Sequence, residues 1–387
     1  MAWTCALTSA QRGKTSKVEY MGQKAALGLA SGERNAGLDA FRVSLLICLM
    51  AGGVGVVGFG WRALEPMVGM VMEASFPLAG FLLASRLSAR SDGSPQMFFT
   101  IWKAYVRIMP VYGLGLLSLM TLALKAGTPI QGGLIHLGMG GALLGSRQDD
   151  LVWAWAVPVV WWGHVVLAVL SQVLRWIPWA RVGHRNVWVA GWVVALGVSL
   201  IREVAWRVMP LDAADLVHGA VWRLDSVAWG VVMYGILRRF PEWGSHRSIR
   251  WFGMAGMMGL GMSGVSLVAI SDWSGQRSLL GLLHCALAIS IALILPWLLV
   301  WRVPGELRTR PWLELGSRMS YPVFASFIGV CQAGGGKALG WFAAGPLQRS
   351  LLACLVSVGL AWIMAGFVQP VLNQLLLGQA RKFRLHD

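Results

Sequence analysis

Two ionisable side chains lie deep inside apolar stretches of the sequence. Glu73 lies in the middle of the apolar run 64–84, and His164 lies inside the run 151–174. A carboxyl group at such a depth usually faces a cavity or a partner, and the pKa range of imidazole suits a general base. Both are therefore candidate catalytic residues, and a hydrogen bond between them would position the ring if their helices pack together. The alternatives are a structural partner for another helix and a structurally hydrogen-bonded histidine.

Basic side chains beside the apolar runs are candidate groups for binding an anionic ligand. Arg42, Lys103 and Arg107 lie where the first and third runs are predicted to begin. Their charges could bind the phosphates or the carbonyl oxygen of a ligand. They could equally anchor the helices at the membrane interface.

A further charged pair, Arg223 and Asp225, begins the sixth run. These side chains could form a polar wall around an acceptor molecule. The alternative is a structural ion pair. The candidate ion-pair partners are one another, Glu203, Asp212 and Asp215.

The composition places these groups in a membrane protein. Hydrophobic residues make up 56% of the 387 residues and charged residues only 13%, whereas a soluble domain has about 25% charged residues. The net charge of +16 does not indicate nucleic-acid binding, because the basic residues lie mainly in short loops between apolar runs. The five cysteines form no close pair of the kind that binds zinc, and we predict no metal site.

Ten apolar runs are near the length that crosses a bilayer, which predicts an all-α, polytopic membrane protein of about ten transmembrane helices. The runs are 43–60, 64–84, 104–124, 151–174, 186–201, 222–237, 251–270, 279–301, 319–342 and 350–368. A shorter apolar piece, 132–145, is predicted to lie on the outer face without crossing. We expect one membrane domain over 37–378, a disordered basic cytoplasmic tail over 1–36 and a short cytoplasmic tail over 379–387.

The distribution of charge predicts the orientation. With a cytoplasmic N-terminus and no crossing at 132–145, the cytoplasmic side holds 24 of the 33 Lys and Arg residues. This is the bias that the positive-inside rule describes. Both termini are therefore predicted to be cytoplasmic.

Four stretches, in order, resemble acyltransferase family 3 of bacterial membrane O-acyltransferases. They are 37–42 (GLDAFR), 76–83 (FPLAGFLL) followed by 107–112 (RIMPVY), 223–226 (RLDS) with Gly230, and 315–322 (LGSRMSYP). The resemblance covers roughly residues 37–370 and implies a protein of the bacterial inner membrane. It implies transfer of an acyl group from a cytoplasmic donor such as acyl-CoA, with no bound cofactor, to a hydroxyl of a glycan such as cellulose or its precursor. It strengthens the assignment of Arg42 and Arg107 to the donor, and it makes polysaccharide synthase subunits candidate partners.

The sequence departs from the family pattern at three polar positions. Gly53, Pro158 and Phe327 stand where the family has a histidine, a glutamate and a histidine. Two alternatives follow: a catalytically silent subunit of a polysaccharide synthesis or export complex, and a transporter of lipid-linked sugar or acyl groups. A transporter is disfavoured because no matching pair of broken helices is visible.

Overall fold

The computed structural model consists of helices. It describes residues 35–59, 65–88, 96–125, 156–177, 185–208, 219–240, 243, 245–269, 277–301, 303, 306–335, 345–372 and 374–375. Within these ranges there is no strand. The long helices are α1 (Ala36–Phe59), α2 (Glu65–Ser88), α3 (Gln96–Lys125), α4 (Ala156–Leu174), α5 (Arg185–Val208), α6 (Leu224–Arg239), α7 (His246–Ala269), α8 (Arg277–Val300), α9 (Glu306–Gly335) and α10 (Pro346–Ile363). A 3₁₀ turn, Ala220–Arg223, precedes α6, and a π-helical segment, Met364–Val368, continues α10.

Each of the ten apolar runs overlaps one of these helices. Seven of the helices in the described ranges are long and apolar enough to cross a membrane: α1, α2, α4, α5, α6 with its preceding turn, α8 and α10 with its continuation. This confirms the prediction of a helical protein with membrane-spanning segments. The other three, α3, α7 and α9, do not meet the same measure of length and composition. The segment 132–145 and most of both predicted tails lie outside the described residues.

The centre of the bundle is the crossing of α2 and α6. A Cβ atom on Gly80 would overlap the backbone carbonyl of Val227, and a Cβ atom on Gly230 would overlap that of Pro77. Small residues allow such close backbone approach between membrane helices. The ring of Phe81 then packs edge-on against Tyr234, with 5.4 Å between ring centroids. Two of the stretches that carry the family resemblance therefore meet at this crossing.

Other helices present apolar faces outward. On α5, Val193, Leu196, Leu200 and Val204 are exposed at helical spacing. Faces of this kind are stable where lipid rather than water surrounds the helix.

Hydrogen bonds between helix termini define the two ends of the bundle. At one end, named the Asn35 end, the side-chain amide of Asn35 donates to the carbonyl of Leu299 at 2.9 Å. At the other, named the Arg202 end, Arg202 donates to the carbonyls of Trp222 at 2.8 Å and Gly281 at 3.2 Å.

Candidate functional site

A cavity lies between α1, α2, α3, α4 and α9. Arg86 lines it near the Asn35 end, Arg42 lines it from α1, and His164 lines it from α4. Val71 and Ala156 line it farthest toward the Arg202 end. The cavity therefore extends from a cationic mouth into an apolar interior.

The depth of His164 in this cavity follows from the packing of its neighbour. Cβ atoms on Gly163 and Gly80 would both meet Val227 of α6, which places the two glycines at the same level. The backbone of His164 is thus within about 3 Å of the level of Ala79 of α2, which also lines the cavity. Arg86 lies seven residues nearer the Asn35 end, or about 10 Å along the helix. The imidazole is therefore near the middle of the cavity.

The ring of His164 has a defined hydrogen bond. Its Nδ1 lies 2.6 Å from the carbonyl oxygen of Val160, one turn earlier in α4. Because a carbonyl only accepts, Nδ1 carries the proton, and in the neutral ring Nε2 is the basic nitrogen. The side chain is buried, with 7% of its surface exposed. This is the tautomer arrangement that a general base requires.

Arg42 is held by a polar group that joins α1 to α9. Its Nη1 lies 3.2 Å from Asp39 Oδ1 and 3.0 Å from Ser317 Oγ, and Ser317 donates to Asp39 at 2.5 Å. Asp39 and Ser317 are buried, while the Arg42 side chain keeps 23% of its surface exposed. The guanidinium is therefore positioned at the cavity wall by two neighbours.

The remaining predicted donor residues lie on α3. Lys103 is exposed, and the adjacent Ala104 lines the cavity. Arg107 lies in α3, but its side chain is outside the described part of the structure. Arg86 is a further cavity residue, and it was not among the residues singled out from the sequence. Its spacing from Ser75 and Leu82 on one face of α2 was the signal that could have identified it.

A second polar group is buried between α2, α6 and α8. Glu73 Oε1 lies 2.6 Å from Arg223 Nη2, and Ser226 Oγ donates to Glu73 Oε2 at 3.2 Å. His284 Nδ1 lies 3.7 Å from the same carboxylate. The side chains of Glu73 and Arg223 are 1% and 2% exposed. This is a desolvated ion pair, in which the attraction of a close partner offsets part of the cost of burying each charge.

Asp225 forms the second ion pair of this group. Its Oδ2 lies 2.9 Å from Arg202 Nη1, and it accepts a hydrogen bond from Ser199 Oγ at 3.1 Å. Neither ion pair, Glu73 with Arg223 or Arg202 with Asp225, was predicted from the sequence. Of the proposed partners, Glu203 pairs with Arg207 instead, and Asp212 and Asp215 lie outside the described residues.

The structure does not bring Glu73 and His164 together. The α2 residues that line the cavity, such as Val71 and Ser75, recur on one face of the helix. Glu73 lies two positions after Val71, or about 200° around the helix. Its carboxylate therefore faces Arg223, while His164 lines the cavity on the other side of α2.

Within the described ranges, no group of three or more His, Cys, Asp and Glu side chains could hold a metal ion. Comparisons of the chain with protein-family models, with curated proteins and with solved structures found no match.

Proposed function

We propose that this chain is a bacterial inner-membrane O-acyltransferase. It would take an acyl group from a cytoplasmic donor such as acyl-CoA and transfer it to a hydroxyl of an exopolysaccharide such as cellulose, or of its precursor. The observation that carries the proposal is the cavity, which is lined by Arg86 near one end and by Arg42 and His164 farther in. The resemblance to acyltransferase family 3 supports the same reaction.

In this proposal the donor enters from the Asn35 end. The guanidinium groups of Arg42 and Arg86 bind its phosphates, since paired N–H donors suit phosphate oxygens. The thioester carbonyl then lies near His164. Nε2 of His164 accepts the proton of the sugar hydroxyl while that oxygen attacks the carbonyl carbon. The carbon–sulfur bond breaks, and the imidazolium returns the proton to the departing thiolate.

Glu73 then has a positioning role rather than that of a base in the cavity. Its carboxylate is engaged by Arg223, Ser226 and His284. With Asp225 and Arg202, these residues join α2, α5, α6 and α8. They would thereby fix the α2 wall of the cavity and keep Arg223 and Asp225 on the acceptor side of the bundle.

The proposed topology has ten spans. It adds α3, α7 and α9 to the seven helices that are long and apolar enough to cross a membrane. With the Asn35 end in the cytoplasm, the cavity mouth is on the side where acyl-CoA is available. Both chain termini are then cytoplasmic.

A second candidate is a catalytically silent subunit of a polysaccharide synthesis or export complex. Two observations favour it. Pro158 is buried in α4, where the resemblance expects a glutamate. In addition, the carboxylate of Glu73 is already engaged by Arg223.

Acyl transfer by the purified protein distinguishes these candidates. The protein in lipid nanodiscs would be given labelled acetyl-CoA and octanoyl-CoA with cello-oligosaccharides, and released CoA and ester-linked label would be measured. In parallel, ester groups would be counted on the polysaccharide of cells with and without the gene. We expect the wild-type protein to transfer the acyl group and His164→Ala to abolish this transfer. Gln172→Ala, which removes another polar side chain from the same helix, should preserve it. Absence of both CoA release and gene-dependent ester groups would favour the silent subunit.

A further inference from the structure

We infer that the part of the cavity beyond His164 is an acyl-chain site that favours donors with chains of about eight to ten carbons over acetyl donors. The inference rests on the proposed function, because it places the donor's carbonyl carbon at His164. Beyond that function, the inference identifies the chemical class of the acyl group and the residues that limit its length.

The depth of this part follows from the helix rise. Ala79 is within about 3 Å of the level of His164, and Val71 is the described α2 residue that lines the cavity nearest the Arg202 end. Eight residues of helix correspond to about 12 Å. On α4 the described lining residues from Ala156 to His164 span the same distance. An extended alkyl chain advances about 1.25 Å per bond, given a bond near 1.5 Å and an angle near 111°. About eight to ten carbons therefore fill the depth.

The lining of the deep part is aliphatic. Val71, Leu49, Ala156, Val157 and Val160 contribute hydrocarbon side chains. Among the described residues that line this part, the one polar side chain is Ser75, which donates its hydroxyl to the carbonyl of Met72 in its own helix at 2.6 Å. A hydrocarbon chain is the ligand that such a surface accepts without loss of hydrogen bonds.

The lining of the cavity changes from charged to apolar with depth, which matches an acyl donor that has phosphates at one end and a hydrocarbon chain at the other. Arg86 lines the cavity near the Asn35 end, Arg42 and the imidazole of His164 line it farther in, and small and branched aliphatic side chains line its deep part. An acetyl group would leave the deep part without a ligand. Each methylene that occupies it should tighten binding roughly two- to fourfold, since its apolar surface leaves water.

Substitutions at the deep end test this site. Ala156→Phe fills it from α4, and Val71→Phe fills it independently from α2. Val169→Phe is the matched control, because it adds an aromatic ring to α4 at a position that is 41% exposed. Size-exclusion profiles of all three in detergent show whether each variant remains folded.

The measurement is the affinity of S-alkyl-CoA thioethers with two, six, ten and sixteen carbons for the protein in nanodiscs, with empty nanodiscs as the background. For the wild type and for Val169→Phe, we expect affinity to rise with length to about eight to ten carbons and then level off. In both Phe variants the rise should stop at shorter chains, while affinity for the two-carbon analogue stays within about twofold. Equal affinity for all lengths in the wild type, or unchanged length dependence in both folded Phe variants, would overturn the acyl-chain site.

A second series, of alkyl phosphates without CoA, separates this inference from the proposed function. Length dependence in the alkyl phosphates with no binding of any CoA analogue would support the chain site and overturn the thioester donor. Length-independent binding of the CoA analogues would overturn the chain site and leave the acyltransferase proposal intact. No binding in either series would overturn both.

Discussion

Glu73 Oε1 and Arg223 Nη2 lie 2.6 Å apart in an ion pair that joins α2 to the turn preceding α6, and both side chains are almost completely buried. In a desolvated site, loss of one partner leaves the other charge without compensation. The pair therefore links the stability of the bundle to the identity of both residues.

We expect Glu73→Ala to destabilise the protein by about 3–5 kcal/mol, because it leaves Arg223 buried beside the apolar core. The double variant Glu73→Ala/Arg223→Met should recover much of this loss. Thermal unfolding of the detergent-solubilised protein, followed by size exclusion, measures both. A double variant less stable than Glu73→Ala would contradict this account of the pair.

The close approach of α2 and α6 predicts the effect of adding a single methyl group. Gly230→Ala places a Cβ atom against the carbonyl of Pro77, and we expect a loss of about 1–3 kcal/mol from the overpacked crossing. Gly197→Ala is the control, since no atom lies within 4 Å of its added Cβ. It should be neutral or stabilising by up to about 1 kcal/mol. Equal unfolding temperatures for the two variants would refute the close crossing.

Replacement of His164 should affect turnover more than stability. Loss of a general base typically lowers the rate by about 10²–10⁴, so we expect a fall of this size in kcat for His164→Ala. Its unfolding temperature should stay close to that of Gln172→Ala. Wild-type turnover in a folded His164→Ala protein would remove this residue from the reaction.

The cationic mouth predicts a specific effect on donor binding. Arg86→Ala should raise KM for the acyl donor about tenfold, which corresponds to about 1.4 kcal/mol, while kcat changes little. Arg318→Ala is the matched control, because that side chain is 60% exposed and pairs with Glu314. The proposed donor site is wrong if both variants have the same KM.

The topology can be tested at positions that the structure shows to be exposed. Trp176 follows α4 at the Asn35 end, and Val208 ends α5 at the Arg202 end; they are 74% and 75% exposed. In a cysteine-free background, an impermeant maleimide added to intact cells should label Val208→Cys but not Trp176→Cys. The reverse pattern would invert the proposed orientation.

The positions of the helices could be predicted from the sequence, and the contacts between them could not. Long apolar runs fix where a membrane helix lies because the bilayer sets its length. The rotation of a helix about its axis is predicted from a polar face, and the middle of α2, residues 66–85, carries a single charged residue, Glu73. The sequence therefore identified Glu73 and His164 as buried polar residues but led to the expectation that they could share a hydrogen bond. It did not show that Arg223 faces Glu73, since these residues are far apart in the chain.

Two helices that line the cavity, α2 and α1, differ in how firmly they are held. The helix α2 lies between the buried ion pairs and the cavity. On one side, α2 is bound to α6 through buried charges and the Gly80–Gly230 crossing. On the other side, α1 lies near the surface: 28% of its span is buried, against 78% for α6. A bulky ligand that enters from the Asn35 end should therefore displace α1 and its neighbour α9, while α2 stays in place. Because α1 is the more lipid-exposed of the two walls, the composition of the surrounding bilayer should influence the rate of this displacement.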